Sequence, residues 1–269
     1  MKKITMFLLS MLVGLQLFSQ KNYTENEFGI NMKMVYVQGG IFEMGCVEDD
    51  CSDCDGDEMN IREVSLSDYY IGQFEVTQKQ WKAVMGTTIF QQRDKCNANM
   101  ALSGTGNDYP MYYISWEEAN EFCRILSSKT GKLYRLPTEA EWEFAARGGN
   151  NSQLYKYSGS NELDDVAWYA QNSFAKTHKI GHRDPNELGI YDMSGNVWEW
   201  CYDIYGDYRS NDNKDPKGAK SGTKRINRGG SWRNNSTSCR VSDRSYDSAD
   251  FRYISLGFRV VCEPRQTVE

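Results

Sequence analysis

Three of the eight cysteines lie close together among acidic residues, at Cys46, Cys51 and Cys54. Thiolates and carboxylates both bind metal ions, so the Cys-x4-Cys-x2-Cys spacing suits a metal clip. In an oxidising compartment the same spacing favours disulfides, and we prefer that interpretation, with Cys96 as a candidate outside partner. Eight cysteines permit many pairings, and the sequence assigns none of them. The neighbouring carboxylates suit a weak cation but are more typical of a solvated loop.

Residues 1–20 have the pattern of a secretory signal peptide. Lys2 and Lys3 precede an apolar stretch from Ile4 to Phe18, and the small residue Ser19 lies near the expected cleavage point. The apolar stretch is short for crossing a bilayer, and no cysteine follows it that could carry a lipid. We therefore predict an exported protein, periplasmic or extracellular, with no transmembrane anchor. An uncleaved anchor is the alternative.

The composition is that of a globular chain rich in aromatic residues. The 269 residues carry a net charge of −6 and include 7 Trp, 17 Tyr and 11 Phe. Large rings bury much area, so a core is feasible despite a modest apolar content. Because an acidic chain repels phosphate backbones, nucleic acid is not an expected partner. No nucleophile elbow, glycine-rich phosphate loop or paired-carboxylate motif is present.

Local signals predict three helices and several short strands. Each helix begins at a Ser or Thr that is followed three residues later by Glu or Gln, and each ends at a glycine. The helices run from Thr77 to Gly86, from Ser115 to Gly131 and from Thr138 to Gly148. Strands are expected near residues 35–37, 41–42, 64–71 and 256–261. Residues 149–222 show little regular signal, so metal, disulfides or aromatic packing must hold them.

Six segments occur in the order found in the formylglycine-generating (sulfatase-modifying-factor) family, which the chain resembles over nearly all of its mature length. They are 39–45 (GGIFEMG), 70–77 (YIGQFEVT), 135–149 (RLPTEAEWEFAARGG), 189–200 (GIYDMSGNVWEW), 228–232 (RGGSW) and 257–259 (GFR). The resemblance implies an α+β fold, a large variant of the C-type-lectin-like fold with little regular secondary structure. It places the family domain at residues 34–264, with an N-terminal extension at 21–33 and a tail at 265–269.

The resemblance also implies a calcium ion beside the Gly-Asn-x-Trp-Glu-Trp loop. By motif match, the ligands are Asp192 through its side chain or carbonyl, the carbonyls of Gly195 and Val197, and the carboxylate of Glu199. Calcium takes six to eight oxygen ligands, and irregular backbone supplies carbonyls that strands do not. The alternative is that Asp192 is a capping residue and Glu199 a solvated charge. A second calcium site of the family would lie near residues 164–169, where we match no ligands.

Family oxidases hold Cu(I) with two cysteines, five residues apart, that follow Arg/Lys-Gly-Gly-Ser-aromatic. Counting from Trp232, Asn234 takes the position of the first cysteine and Cys239 that of the second. Counting back from Arg244 moves Cys239 off the second position, and both counts leave the first cysteine missing. Copper is therefore not expected, and Cys239 is only a weak candidate for catalysis. We favour a half-cystine or a buried thiol for this residue.

Three functions from different classes are consistent with the sequence. We favour an exported, non-oxidase family member that acts as a binding or envelope-assembly component with a protein partner. One alternative is a formylglycine-generating oxidase that acts on a cysteine or serine of a sulfatase-like protein through an altered site at Cys239. The other is a carbohydrate-binding, lectin-like module that uses exposed aromatics such as Trp168 and Tyr169. Iron is not expected, because superfamily iron enzymes use three histidines and this chain has only His178 and His182.

Overall fold

The computed structural model describes residues 21–46, 51–207 and 213–264. The signal peptide expected at 1–20 and the tail at 265–269 lie outside the described residues. Within the described ranges, no helix combines the length and the apolar character needed to cross a bilayer.

The predicted capping boxes form in the structure. In the described ranges the α-helices are α1 (Gln78–Met85), α2 (Ile89–Cys96), α3 (Trp116–Thr130), α4 (Glu139–Ala146) and the short α5 (Leu163–Val166). The hydroxyls of Thr77, Ser115 and Thr138 each accept a hydrogen bond from the backbone N–H three residues later. Gly86 and Gly131 end α1 and α3 in the left-handed conformation, which costs glycine nothing. The three predicted helices are therefore confirmed.

The helix α2 is not predicted from the sequence, although its start carries the same signal. Thr88 and Gln91 form a reciprocal capping box at its first turn. Only Ile89 and Gln92 of this helix are buried, so the apolar repeat that marks an amphipathic helix is missing. The capping box and a small number of contacts thus hold α2 at the surface.

The strands are short and fall into two main sheets and one hairpin. They are β1 (Tyr23–Glu25), β2 (Met32–Val37), β3 (Ile41–Met44), β4 (Arg62–Ser65), β5 (Tyr69–Gly72), β6 (Tyr134–Arg135), β7 (Trp198–Ile204), β8 (Lys224–Arg228), β9 (Arg244–Ser248), β10 (Leu256–Gly257) and β11 (Val261–Cys262). The first sheet has the order β1-β2-β5-β11-β6, the second has the order β10-β7-β8-β9, and β3 pairs with β4. Only β7 and β10 pair in parallel among the described strands. Separate helices and mainly antiparallel sheets make the fold α+β, as expected.

The two chain ends of the domain both join the first sheet. The segment 21–33, which the sequence assigns to an extension, supplies β1 and the first two residues of β2. The single strand expected over 256–261 is wrong, because β10 belongs to the second sheet and β11 to the first. All six residues are buried, so their apolar pattern does not reveal the change of sheet. Arg259 lies at the crossing, where its side chain reaches a carboxylate described below.

The core orients the 189–200 segment. Trp198 and Trp200 both pack with the first hydrophobic cluster, because alternate residues of a strand lie on the same side. Glu199, between them, points to the opposite side of β7, where Trp142 of α4 lies in the second cluster. All eight residues of α4 are buried. Packing on every side therefore fixes the position of Trp142, whose ring N–H donates to Glu199.

The irregular range 149–222 contains only α5, β7 and a 3-10 turn (Gly149–Asn151) as regular elements among its described residues. The buried side chain of Asn186 links several backbone segments by hydrogen bonds. Its Nδ2 donates to the Ala145 carbonyl at 2.7 Å, and its Oδ1 accepts from the backbone N–H groups of Leu188 and Ile190. The rings of Trp168 and His178 stack with their centroids 3.7 Å apart. Side-chain hydrogen bonds and aromatic packing therefore hold this region, and its described part contains no disulfide.

Candidate functional site

The cysteines whose side chains the structure describes divide into one disulfide and five free thiols. Cys46 and Cys54 are bonded, so the expectation of a disulfide in this loop is confirmed. The expectation that Cys96 is an outside partner is wrong, because its thiol is free and exposed on α2. The other free thiols are buried in separate places: Cys123 and Cys262 in the first cluster, Cys201 in the second, and Cys239 in a third. The side chain of Cys51 is not described.

Cys239 is a buried thiol, one of the two states favoured from the sequence. Its exposed fraction is 0%, and it packs with Tyr157, Leu163 and Tyr169 among others. Burial raises the pKa of the Cys239 thiol to about 12, with a further contribution from the Asp243 carboxylate. Because the thiolate is the nucleophile and the metal ligand, the residue is unreactive at neutral pH in this environment.

Asn234 occupies the position of the missing first cysteine, and its side chain is committed to other contacts. Its Oδ1 accepts from Trp198 Nε1 at 3.0 Å and from the Ser231 hydroxyl at 2.5 Å. Its backbone is fixed as well, since the N–H donates to Ser231 and the carbonyl accepts from Ala170. No other described cysteine shares the cluster of Cys239. The described residues therefore offer one protonated thiol and one hydrogen-bonded amide at these two positions.

The four residues matched to calcium lie on one tight loop and the strand after it. Asp192, Gly195 and Asn196 all have positive φ, so the loop folds back on itself before β7 begins. Asp192 Oδ2 accepts from the backbone N–H of Gly181 at 2.7 Å, whereas its buried Oδ1 has no partner. Glu199 is a buried ion pair and not a solvated charge. Its oxygens accept from Arg259 at 2.6 and 2.7 Å.

A third buried carboxylate, Glu75, joins this cluster from the segment between β5 and α1. It is 1% exposed, and its Oε2 accepts from Asn196 Nδ2 at 3.1 Å while Oε1 has no partner. Burial raises the pKa of Glu75 well above its usual range, and the charges of Asp192 and Glu199 add to the shift. Burial likewise raises the pKa of Asp192 to about 6. Sequence reasoning missed Glu75, because a glutamate just before a helix cap is typical of a surface position.

These residues carry an excess of buried negative charge, although among the described carboxylates they are not a group whose oxygens all lie within 4.8 Å of one another. Three carboxylates surround one guanidinium, so two negative charges are unbalanced when all three are ionised, and a buried unbalanced charge is costly. Asp192 Oδ1 and Glu75 Oε1 are buried oxygens without partners, which is the donor type that calcium takes. Glu199 Oε2 also accepts from Trp142 Nε1 at 2.8 Å, so an ion would share this carboxylate with Arg259 and Trp142.

Of the described acidic residues near the disulfide, Asp53 and Asp55 are exposed, as expected for a solvated loop, whereas Glu58 is buried. Asp55, Glu58 and Asp243 bring carboxylate oxygens within 4.8 Å of one another. Glu58 is fully buried, and both of its oxygens accept from Arg240, at 2.9 and 2.6 Å. Arg240 thus neutralises Glu58, and a weak cation at these three carboxylates stays a prediction.

The aromatic residues proposed for sugar binding are not an open platform. Tyr169 is buried beside Cys239, so its expected exposure is wrong. Trp168 is half-buried, with His178 stacked on it and the Arg183 guanidinium 3.8 Å from its ring. His178 Nε2 also contacts the Ser173 carbonyl at 2.8 Å, so this histidine takes part in packing and not in a surface cluster with His182.

Comparisons with known proteins identify the family of the chain. Residues 19–264 match the family described as "Sulfatase-modifying factor enzyme 1-like domain". The "Chaperone protein LppX" of Paenibacillus barcinonensis is 32% identical, covering 97% of this chain and 99% of its own. The "Formylglycine-generating enzyme" of Thermomonospora curvata is 28% identical, covering 86% of this chain and 93% of its own.

A solved structure supports the same assignment. "Treponema denticola variable protein 1" superposes with a TM-score of 0.75 at 32% identity, covering 91% of this chain and 99% of its own. Its fold and the family match extend over almost the whole described domain. The chain belongs to the sulfatase-modifying factor enzyme 1-like domain family.

Proposed function

We propose that this chain is a non-oxidase member of its family that is exported and binds a protein partner at the cell envelope or outside the cell. The observation that carries the proposal is what occupies the two copper-ligand positions of the family oxidases. Asn234 presents a hydrogen-bonded amide at one, and Cys239 presents a buried thiol with a pKa of about 12 at the other. An amide and a protonated thiol do not make the two-thiolate set that Cu(I) prefers.

A protein is the partner class that the observations favour. The Paenibacillus barcinonensis relative, which matches over nearly all of both chains, is named a chaperone protein. The net charge of −6 disfavours nucleic acid. The half-buried Trp168, covered by His178, is less suited to stacking on a sugar than a free ring would be. A sulfatase-like protein is included in the class, bound without being oxidised.

We also propose a structural calcium ion at the loop before β7. Asp192, the carbonyls of Gly195 and Val197, and Glu199 would hold it, and Glu75 would add a carboxylate from the segment before α1. The ion would supply the two positive charges that the buried cluster lacks. It would tie the loop to α1 and, through Glu199 and Arg259, to the crossing between the two sheets.

Co-production with a sulfatase tests the absence of oxidase activity. The sulfatase is made in cells without another formylglycine-generating enzyme, under air and with copper supplied, and its target peptide is analysed by mass spectrometry. We expect the unmodified cysteine or serine, whereas the Thermomonospora curvata relative gives formylglycine in the same cells. Formylglycine that disappears in Cys239→Ala would show an oxidase and overturn the proposal.

Reconstitution tests the binding role. The chain is crosslinked and purified from cells that produce it naturally, and each recovered protein is then made separately and mixed with the pure chain. We expect one of them to form a stable complex of defined stoichiometry, with the mature chain beginning near residue 21. Failure of every recovered protein to re-form a complex would contradict the binding role.

A further inference from the structure

Two adjoining pockets form a groove along α1, which we call the α1 groove. The larger pocket has a volume of about 550 Å³ and lies between α1, the start of α2 and the loop 105–107. The smaller has a volume of about 170 Å³ and continues toward β2 and the segment before α1. Lys79 and Asn107 line both pockets, so together they make one elongated depression. A small globular ligand would fill one pocket, whereas an extended chain would fill both.

The groove is positively charged on a negatively charged protein. Lys33, Lys79 and Lys82 line it and are exposed. In the part of the chain that the structure describes, none of the three pairs with a carboxylate, although Lys33 lies 5.9 Å from the Phe74 ring. Two carboxylates, the exposed Asp108 and the buried Glu75, line the smaller pocket. Three unpaired ammonium groups in a row attract an anionic partner.

The larger pocket is also apolar. Ala83, Ile89 and Phe90 line it, and Phe90 leaves 52% of its surface exposed. An exposed ring beside two lysines suits a partner that carries apolar and acidic side chains close together. A polyphosphate or an oligonucleotide would satisfy the lysines but would leave this apolar wall uncovered.

The far wall of the groove is held in place before any partner binds. Gln78 Nε2 donates to the Gly104 carbonyl at 3.1 Å, and its Oε1 accepts from the Gly106 N–H at 3.0 Å. On the other side, the α2 capping box fixes Thr88 at the groove edge. A preformed wall lowers the ordering cost of binding a flexible segment.

We propose that the α1 groove binds an extended, acidic segment of a partner protein in which carboxylates alternate with apolar side chains. The inference rests on the proposed function and specifies where on the chain the partner docks and what chemistry it presents. The lysines would pair with the carboxylates of the segment, and its apolar side chains would pack against Ala83, Ile89 and Phe90.

A labelled peptide tests the groove directly. The probe is a fluorescein-labelled peptide in which Asp and Leu alternate, and binding to the full mature chain is followed by fluorescence anisotropy. We expect binding that weakens with salt and weakens about tenfold or more in the double variant Lys79→Glu with Lys82→Glu. The matched control is Lys217→Glu with Lys220→Glu, which makes the same charge change on an exposed loop outside the groove and should bind like the parent chain. Circular dichroism verifies that both variants are folded.

Several other results would contradict the proposal that the α1 groove binds an acidic segment. They are equal binding by both double variants, no binding by the parent chain, or equally tight binding of a labelled peptide in which Lys replaces Asp. A labelled oligothymidylate that competes as well as the acidic peptide would also overturn it, because the site would then read charge alone. None of these results decides whether a protein partner binds elsewhere on the chain, since the reconstitution experiment measures that separately.

Discussion

The side chains of Asn234 and Cys239 meet at one residue, Ser231. Its hydroxyl donates to Asn234 Oδ1 at 2.5 Å, and its backbone N–H lies against the sulfur of Cys239. Gly230 brings the backbone so close that a Cβ there would lie 2.8 Å from that sulfur. Asn234 and Cys239, which counting from Trp232 matches to the two copper cysteines, thus contact the same serine, and one of the two is an amide.

Thiol labelling should separate the buried and exposed cysteines. In the folded protein, Cys239 should react with iodoacetamide at least about tenfold more slowly than Cys96, because burial removes access and raises its pKa. Peptide mass spectrometry after timed quenching measures both rates in one sample. After denaturation the two cysteines should react alike. Comparable rates in the folded protein would mean that Cys239 is an accessible thiolate.

Arg228, the first residue of the Arg-Gly-Gly-Ser-Trp motif, should be essential for stability. It is fully buried, its Nη2 donates to the Glu143 carboxylate, and Nη1 donates to the Ser242 carbonyl at 2.5 Å. We expect Arg228→Met to lower the free energy of unfolding by about 3–5 kcal/mol, since Glu143 loses one of its two buried guanidinium partners, with Arg147 remaining, and three buried carbonyls lose their donor. Urea denaturation measures the loss. Arg124→Met, which removes an exposed ion pair with Glu121, should leave the urea midpoint unchanged, and an equal loss in both would contradict a special role for Arg228.

Asp203 should make the protein less stable as pH rises. Burial and the neighbouring Glu139 charge raise the pKa of Asp203 from 3.8 to about 8. Between these two values the folded state keeps a proton that the unfolded state releases, so this group lowers stability progressively from about pH 4 to pH 8. Asp203→Asn keeps an oxygen for the Glu139 N–H, which Asp203 Oδ2 now accepts at 2.9 Å, but it does not titrate.

The measurement for Asp203 is the difference in unfolding free energy between variant and parent across that pH range. We expect the free energy of unfolding of the variant to rise relative to that of the parent as the pH rises, by an amount on the order of 5 kcal/mol at pH 8. A difference that does not change with pH would show that Asp203 titrates normally.

Calcium should stabilise the protein through the buried carboxylate cluster. At a concentration about a hundredfold above its Kd, we expect it to raise Tm by roughly 5–10 °C, and EGTA to reverse the gain. Glu75→Gln should reduce the gain, because it removes one of the two carboxylates with an unpartnered buried oxygen. Glu162→Gln, on an exposed residue, is the matched control. Equal calcium responses in both variants, or none in the parent chain, would contradict a calcium site at this cluster.

The sequence predicted the features that depend on residues close together along the chain, such as helix starts. Thr77, Ser115 and Thr138 start helices because each hydroxyl accepts a hydrogen bond from a first-turn N–H that has no partner within the helix. The structure shows this bond at all three residues. The same signal at Thr88 was available, but α2 lacks the apolar repeat that would support it. Trp198 and Trp200 share one side of β7, as alternation along a strand demands.

Long-range relationships could not be predicted in the same way. Glu75 and Asp192 meet only after the chain folds, so nothing near Glu75 in the sequence marks it as buried. The change of sheet at Arg259 depends on Glu199, which lies 60 residues earlier. The pairing of Cys46 with Cys54, with Cys96 left free, is likewise not given by the spacing of the cysteines. Motif match to a family located the candidate ligands, whereas the buried partners came from the structure.

The binding of Cu(I) tests the absence of a copper site most directly. The mature chain carrying Cys96→Ser, which removes the exposed thiol, is titrated with Cu(I) in competition with bicinchoninate under anaerobic conditions, beside the same chain carrying Cys239→Ala. We predict that the two titrations coincide, because Cys239 has an amide beside it instead of a second thiolate. One equivalent of tightly held Cu(I) that is lost with Cys239→Ala would contradict the account and restore the oxidase.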